Sequence, residues 1–238
     1  MAEDPRAQLA DHLDLARRVE PLLPALDLAV RRLIGVYESG GRLYTFGNGG
    51  SAADAQHLAA ELVGRYLRER RPLPALALTV DPSVATCIGN DYAFQDLFSR
   101  QVRAFAGPGD MVIAFTTSGR SENVVRGLRA AREQGAFTVL FGGGDGDGGP
   151  AAAHADLALV VPSRTTARVQ EMHLLLLHLL SEQVDAWAAE QAPADAAPAQ
   201  GPPPGRTPHE GRCEGPPAVT RAHPAPDAGP SRARTTSS

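Results

Sequence analysis

The chain has 238 residues, 43% of them apolar, and carries 23 basic against 27 acidic side chains. That length and apolar share suffice for one α/β domain with a buried core, and the slight acidity excludes the basic stripe of a nucleic-acid-binding surface. Every basic residue is Arg, which excludes chemistry through a Schiff-base lysine.

The first segment, MAEDPRAQLADHLDLARRVE, is charged and has no continuous apolar run, so it reads as neither a signal peptide nor a membrane span. No later stretch approaches about 18 uninterrupted apolar residues, and no membrane partner is expected. From Arg6 to Glu38 the apolar positions Leu9, Leu13 and Ala16, then Leu26, Val30, Leu33 and Ile34, recur at helical spacing. Pro21 and Pro24 interrupt them, which predicts two helices or one kinked helix. Arg42–Phe46 reads as a short buried strand, Gly47–Ser51 as a glycine-rich turn and ADAQHLAAELVGRYL as a helix.

Ala75–Val80 is the next predicted strand. Ser83–Ile88 and Phe94–Phe105 read as helices, parted by a turn at Gly89-Asn90-Asp91. Met111–Thr116 is a third strand, followed by TTSGRSEN and a helix to Gln134; Phe137–Phe141 and Leu157–Val161 are a fourth and fifth. Between these two, Gly142–Gly149 resembles a calcium loop but lacks the closing glutamate and the spaced ligands, so a flexible connection is expected. A last helix runs from Thr166 to Glu190. Strands alternating with helices predict a parallel sheet covered on both faces, with ligands at the carboxyl ends of its strands. After Ala192 the composition turns to Pro, Ala and Gly with almost no large apolar residue. The expected organisation is a domain over 1–191 and a disordered tail over 192–238. The two cysteines, Cys87 and Cys213, make neither a disulfide framework nor a cysteine zinc site, and a reducing cytoplasm is the expected compartment.

Two strand-to-helix turns suit an anion. Gly47-Asn48-Gly49-Gly50-Ser51 lets backbone approach a ligand at a helix start. Thr116-Thr117-Ser118-Gly119-Arg120-Ser121-Glu122-Asn123 has the same context, and the hydroxyls of Thr116, Thr117, Ser118 and Ser121 add donors. Gly, Ser and Thr also gather in ordinary turns and caps. Neither turn has the Walker or GxGxxG pattern, so a phosphate monoester fits better than a nucleotide.

His57 and Glu61 lie four residues apart on one helix face. On the last helix, Gln170 and His178 lie eight residues apart, about 80° around the axis, with His173 between. Two imidazoles, a carboxylate and an amide oxygen are a set that can hold zinc. A surface His–Glu pair and a hydrogen-bonded core histidine account equally for the spacing.

GNGGSAADAQHLAAELVGRY, ALTVDPSVATCIGNDYAFQDLFSRQV, PGDMVIAFTTSGRSENVVRGLRAAREQG and TARVQEMHLLLLHLLSEQVD resemble, in order, the phosphoheptose isomerase family. The resemblance spans nearly the whole predicted domain and none of the tail. It implies a SIS (sugar isomerase) fold, a flavodoxin-like three-layer α/β sandwich on a five-stranded parallel sheet preceded by N-terminal helices. It implies interconversion of sedoheptulose 7-phosphate and glycero-manno-heptose 7-phosphate by a cytoplasmic homotetramer with active sites between subunits. The family's Zn2+ ligands fall on His57, Glu61, Gln170 and His178. Its sugar and phosphate contacts fall on Asn48, Gly49, Ser51, Glu61, Asn90, Asp91, Thr116, Thr117, Ser118, Ser121 and Gln170. Glu61 is the expected base of a zinc-assisted enediol mechanism and His178 its acid partner. Departures from the family pattern are Arg120 for an Asn, Glu122 for a common Pro, and Ser163-Arg164-Thr165-Thr166 for a more acidic segment. A non-catalytic SIS protein that binds a replication initiator, or an isomerase of another phosphosugar, is the alternative.

Overall fold

The computed structural model describes residues 4–191; the expected tail over 192–238, with Cys213, lies outside the described residues. Eight helices accompany five strands among the described residues. The chain opens with α1 (Pro5–Arg18), capped by the Asp4 carboxylate, and α2 (Leu23–Glu38). A single 3-10 turn over Glu20–Leu22 separates them. Two helices, not one kinked helix, result because Pro24 falls in the first turn of α2, where a missing N–H costs nothing.

β1 (Leu43–Gly47), β2 (Ala75–Ala77), β3 (Met111–Phe115), β4 (Phe137–Gly143) and β5 (Leu157–Val161) form one sheet in the order β2-β1-β3-β4-β5. All neighbours pair in parallel. Alternate strand residues serve two cores. Leu43, Met111, Ile113, Phe115, Val139 and Phe141 pack with α2 and with two further helices, α3 (Gly50–Val63) and α8 (Thr166–Glu190). Tyr44, Phe46, Val112, Ala114 and Leu140 face α5 (Leu97–Phe105) and α6 (Glu122–Glu133). Burial on both faces is what continuous apolar strands require.

Several local expectations differ from the structure, among them the helix expected to Leu67, since α3 ends at Val63, and the helix expected from Phe94, since a 3-10 turn over Phe94–Asp96 precedes α5. Gly89, Asn90 and Asp91 are not a turn: they complete α4 (Pro82–Asp91), which Asp81 caps through the N–H groups of Ser83 and Val84. With Pro82 at the first position, that start signal outweighs the turn preference of Gly-Asn-Asp. β2 stops at Ala77, three residues short, and its last ladder bond runs from Leu78 N to Thr45 O before the chain turns into α4. Such shortness is usual for an edge strand. β4 runs on through Gly142 and Gly143, which pair with Val160 and Val161. The expected flexible connection is thereby cut to residues 144–148, before the short α7 (Gly149–Ala152). A Cβ on Gly143 would stand 2.5 Å from the Thr117 carbonyl oxygen and 2.8 Å from Val169, so glycine here admits the loop after β3 and the start of α8.

Candidate active site

The order of the sheet reverses between β1 and β3, and the loops that leave their carboxyl ends stand side by side at this switch point. A reciprocal amide pair fastens them. Asn48 Nδ2 donates to Asn123 Oδ1 at 2.8 Å, and Asn123 Nδ2 donates to Asn48 Oδ1 at 2.8 Å. Asn123 is buried and was not among the expected site residues. Its only sequence signal is its place at the end of TTSGRSEN.

Between the loops lies a cavity of about 310 Å³. Asn48, Gly49, Ser51, Thr116, Thr117, Ser118, Ser121 and Gln170 line it, together with Gly50, Phe115 and Thr166. Three helices begin there: α3 at Gly50, α6 after Ser121 and α8 at Thr166. None of the three has a side-chain cap, in contrast to α1 and α4. Uncapped helix starts leave N–H donors and the positive ends of three dipoles turned toward one space, an environment for an anion. Asn90 and Asp91 do not join it. They sit exposed on the last turn of α4, where Asn90 Nδ2 donates to Asp91 Oδ1 at 2.8 Å.

Two turns further along α3, His57 Nε2 lies 2.9 Å from Glu61 Oε1 and 3.3 Å from His178 Nε2 on α8. One ligand atom from each of the three residues falls within 4.8 Å of the others, so this group can hold a metal ion. The donor chemistry fits. Two imidazole Nε2 atoms aimed at each other share at most one proton, whereas both can donate lone pairs to a cation between them. Their 3.3 Å separation is also the edge of a tetrahedron whose metal–nitrogen arms are about 2.0–2.1 Å. The Tyr66 ring lies 5.8 Å from that of His178. Gln170, two turns before His178, lies over Gly50 at the cavity, where a Cβ would come within 2.3 Å of its Nε2.

One neighbouring residue, Asp54, went unnoticed in the sequence, whereas His173 is the hydrogen-bonded core histidine that the spacing allows. Asp54, one turn before His57, has its Oδ2 buried with no partner among the described residues. Burial pushes its carboxyl up to about 6, opposed by the adjacent His57. His173 lies in the core edge-on to both the Phe115 and Phe141 rings, with Nε2 at 3.0 Å from the Gly142 carbonyl oxygen. It does not face the donor cluster; burial lowers its pKa to about 4 and keeps it neutral.

Residues 9–143 match the SIS domain family. A phosphoheptose isomerase from Aquifex aeolicus (strain VF5) is 53% identical over 155 residues, 65% of this chain and 80% of that protein. One from Geobacter sp. (strain M21) is 47% identical over 186 residues, 78% of this chain and 96% of that protein. The solved structure of a phosphoheptose isomerase from Neisseria gonorrhoeae is 39% identical with a TM-score of 0.71, over 76% of this chain and 96% of that one. With its five-stranded parallel sheet and switch-point cavity, the chain belongs to the SIS domain family and, within it, to the phosphoheptose isomerases.

Proposed function

We propose that this chain interconverts sedoheptulose 7-phosphate and glycero-manno-heptose 7-phosphate, with zinc held by His57, Glu61, Gln170 and His178. The observation that carries the reading is the convergence of three uncapped helix starts on a hydroxyl-lined cavity, with an imidazole–carboxylate–imidazole cluster further along the same helix pair. From Gly50 to His57 the rise along α3 is about 10 Å, a span that an extended phosphosugar bridges.

The phosphate is gripped by the helix starts and by the hydroxyls of Ser51, Thr116, Thr117, Ser118 and Ser121. The open-chain ketose then extends its C1–C2 end toward Glu61 and His178. Glu61 removes a proton from C1, and the electron pair forms the C1–C2 double bond. His178 protonates the carbonyl oxygen at C2, giving the enediol. Return of the proton from Glu61 to C2, with loss of the O1 proton to His178, leaves the aldose, and no net oxidation occurs. Bound zinc supplies Lewis acidity that stabilises negative charge on the sugar oxygens.

The exposed Leu9 and Leu13 on α1, and Leu174, Leu175 and Leu179 on α8, support assembly as a homotetramer. In such an assembly Asn90 and Asp91, which stand apart from the cavity of their own chain, serve a neighbouring copy. The retained donor cluster argues against a non-catalytic initiator-binding role. No helix among the described residues is long and apolar enough to cross a membrane, in keeping with a cytoplasmic enzyme. A second reading, isomerisation of another phosphosugar, is favoured by Arg120. It lines an adjoining cavity of about 300 Å³ that shares Thr117 and Ser118 with the first.

The test is incubation of the zinc-loaded chain with sedoheptulose 7-phosphate and, separately, with shorter ketose phosphates, products being identified by NMR. Glu61→Gln and His178→Gln should each lower turnover by about 10²- to 10⁴-fold. Unaltered rates in either variant, or no conversion of the heptulose, would reject the assignment.

A further inference from the structure

α3 and α8 run side by side in the same direction, matched at three levels. Gly50 meets Gln170, His57 meets His178, and beyond the end of α3 residues 66–68 meet Asp185. The first two levels belong to the cavity and the donor cluster. The third uses charged groups that the proposed chemistry leaves idle.

Asp185 and Arg70 have side chains with 0% exposure, and Arg70 Nε donates to Asp185 Oδ1 at 3.0 Å. The same carboxylate accepts from the backbone N–H groups of Arg68 at 2.8 Å, Leu67 at 3.2 Å and Tyr66 at 3.3 Å. Burial alone would raise the Asp185 carboxyl, but these donors and Arg70 hold it below the usual carboxylate value, so it stays charged. The other edge of the Arg70 guanidinium closes the end of α3. Nη2 donates to the Glu61 carbonyl at 2.7 Å, and Nη1 to those of Leu62 at 2.8 Å, Gly64 at 3.2 Å and Arg71 at 2.9 Å. One buried ion pair thus joins the backbone of Glu61 to α8, seven residues beyond His178. Seven residues are two turns, about 20° from full register, so Asp185 and His178 share one face of α8. The segment that Asp185 holds also carries Tyr66 to the His178 ring.

Apolar packing between α3 and α8 would hold the helices together without a buried charge, and a buried ion pair is a poor source of stability compared with such packing. What charge and hydrogen bonds add is direction: leucine surfaces slide by fractions of an ångström, whereas a forked guanidinium on four carbonyls and a carboxylate does not. Metal ligands need their distances kept within about 0.2 Å.

We infer that the Arg70–Asp185 pair is a positioning device for the metal site, setting the axial register of α3 and α8 so that His57 and Glu61 face His178. This rests on the reading of that cluster as a metal centre. The full-length chain, stripped with chelator, is titrated with zinc against a chromophoric competitor, in its unaltered form and as Asp185→Asn, Arg70→Lys, and Arg70→Met combined with Asp185→Leu. The combined variant replaces the pair by apolar side chains and leaves no unpaired charge buried. In variants that retain native circular dichroism, the zinc Kd should rise about 10- to 100-fold, the range for groups that orient metal ligands. Folded variants with an unchanged zinc Kd would overturn the inference while leaving the metal reading intact. Failure of the unaltered chain to bind zinc would overturn both. Hydrogen exchange on the unaltered chain needs no variant to fold: by reciprocity, zinc should slow exchange at the amides of Tyr66, Leu67 and Arg68 about tenfold or more. Equal rates with and without zinc at those amides would also overturn it.

Discussion

Gly50→Ala separates the two things a residue at the head of α3 can do. Gly50 does not have the left-handed backbone that would bar alanine, and alanine in a helix is favoured over glycine by up to about 1 kcal/mol. The added Cβ, however, would lie 2.3 Å from Gln170 Nε2 and 2.8 Å from its Cδ and Oε1. Ordinary contact begins near 3.4 Å, so the amide must retreat by about 1.1 Å. The obstacle is the far end of a flexible side chain, so the shift is cheap for stability but moves a proposed zinc and sugar contact out of place. A displacement of that size in a positioned group costs about 100-fold in rate. Steady-state isomerisation should therefore show kcat/KM lowered about 100-fold, with a thermal midpoint equal to or above that of the unaltered chain. Gln170→Ala should be lowered similarly, and adding Gly50→Ala to it should cost nothing more, because the clash has lost its partner. Full activity in Gly50→Ala, or additive losses in the double variant, would refute the reasoning.

Gly119→Ala should act on the phosphate grip. Gly119 has φ +64°, and its Cβ would stand 1.8 Å from the Gly148 carbonyl oxygen, which is backbone and cannot swing aside. Left-handed alanine costs about 1–2 kcal/mol before the clash, so KM for the sugar phosphate should rise about tenfold or more and the thermal midpoint should fall. Stability should also decline in mild acid. His173, with a pKa lowered from 6.5 to about 4 by burial, is neutral when folded yet protonates when unfolded. Unfolding therefore takes up a proton, and stability drops as pH falls from about 6.5, levelling off below about 4. The contribution of His173 to that loss between pH 7 and pH 5 is about 2 kcal/mol. It is opposed by Asp54, whose raised carboxyl takes up a proton in the folded chain over the same range, and is read as the difference in urea midpoints between the unaltered chain and His173→Gln. His173→Gln should flatten that slope. Asp185, whose carboxyl lies below the usual carboxylate value, loses its contribution only at still lower pH.

Much of the fold was legible because its signals are local. β5 and α8 match the apolar run Leu157–Val161 and the helical pattern Thr166–Glu190 at both ends. The structure departs from the local preference where a tertiary contact or a stronger signal elsewhere in the chain overrides it. Glycines 142 and 143 read as a loop, yet ladder pairing with β5 and the close approach of Thr117 and Val169 keep them in β4. Gly89-Asn90-Asp91 read as a turn, yet a cap eight residues upstream sets the helix.

The candidate site divides the same way. By itself the sequence determined the parts: hydroxyl-rich turns at strand ends, and an imidazole and a carboxylate one helical turn apart, because both follow from periods of a few residues. Only the tertiary structure decided that these parts meet. Asn48 reaches Asn123 across 75 positions, His57 reaches His178 across 121, and Arg70 reaches Asp185 across 115. Such pairings depend on strand order and on helices laid in register over one sheet face. A local period carries no information about either, and nothing in the spacing of Arg70 and Asp185 tells that the fold buries them together.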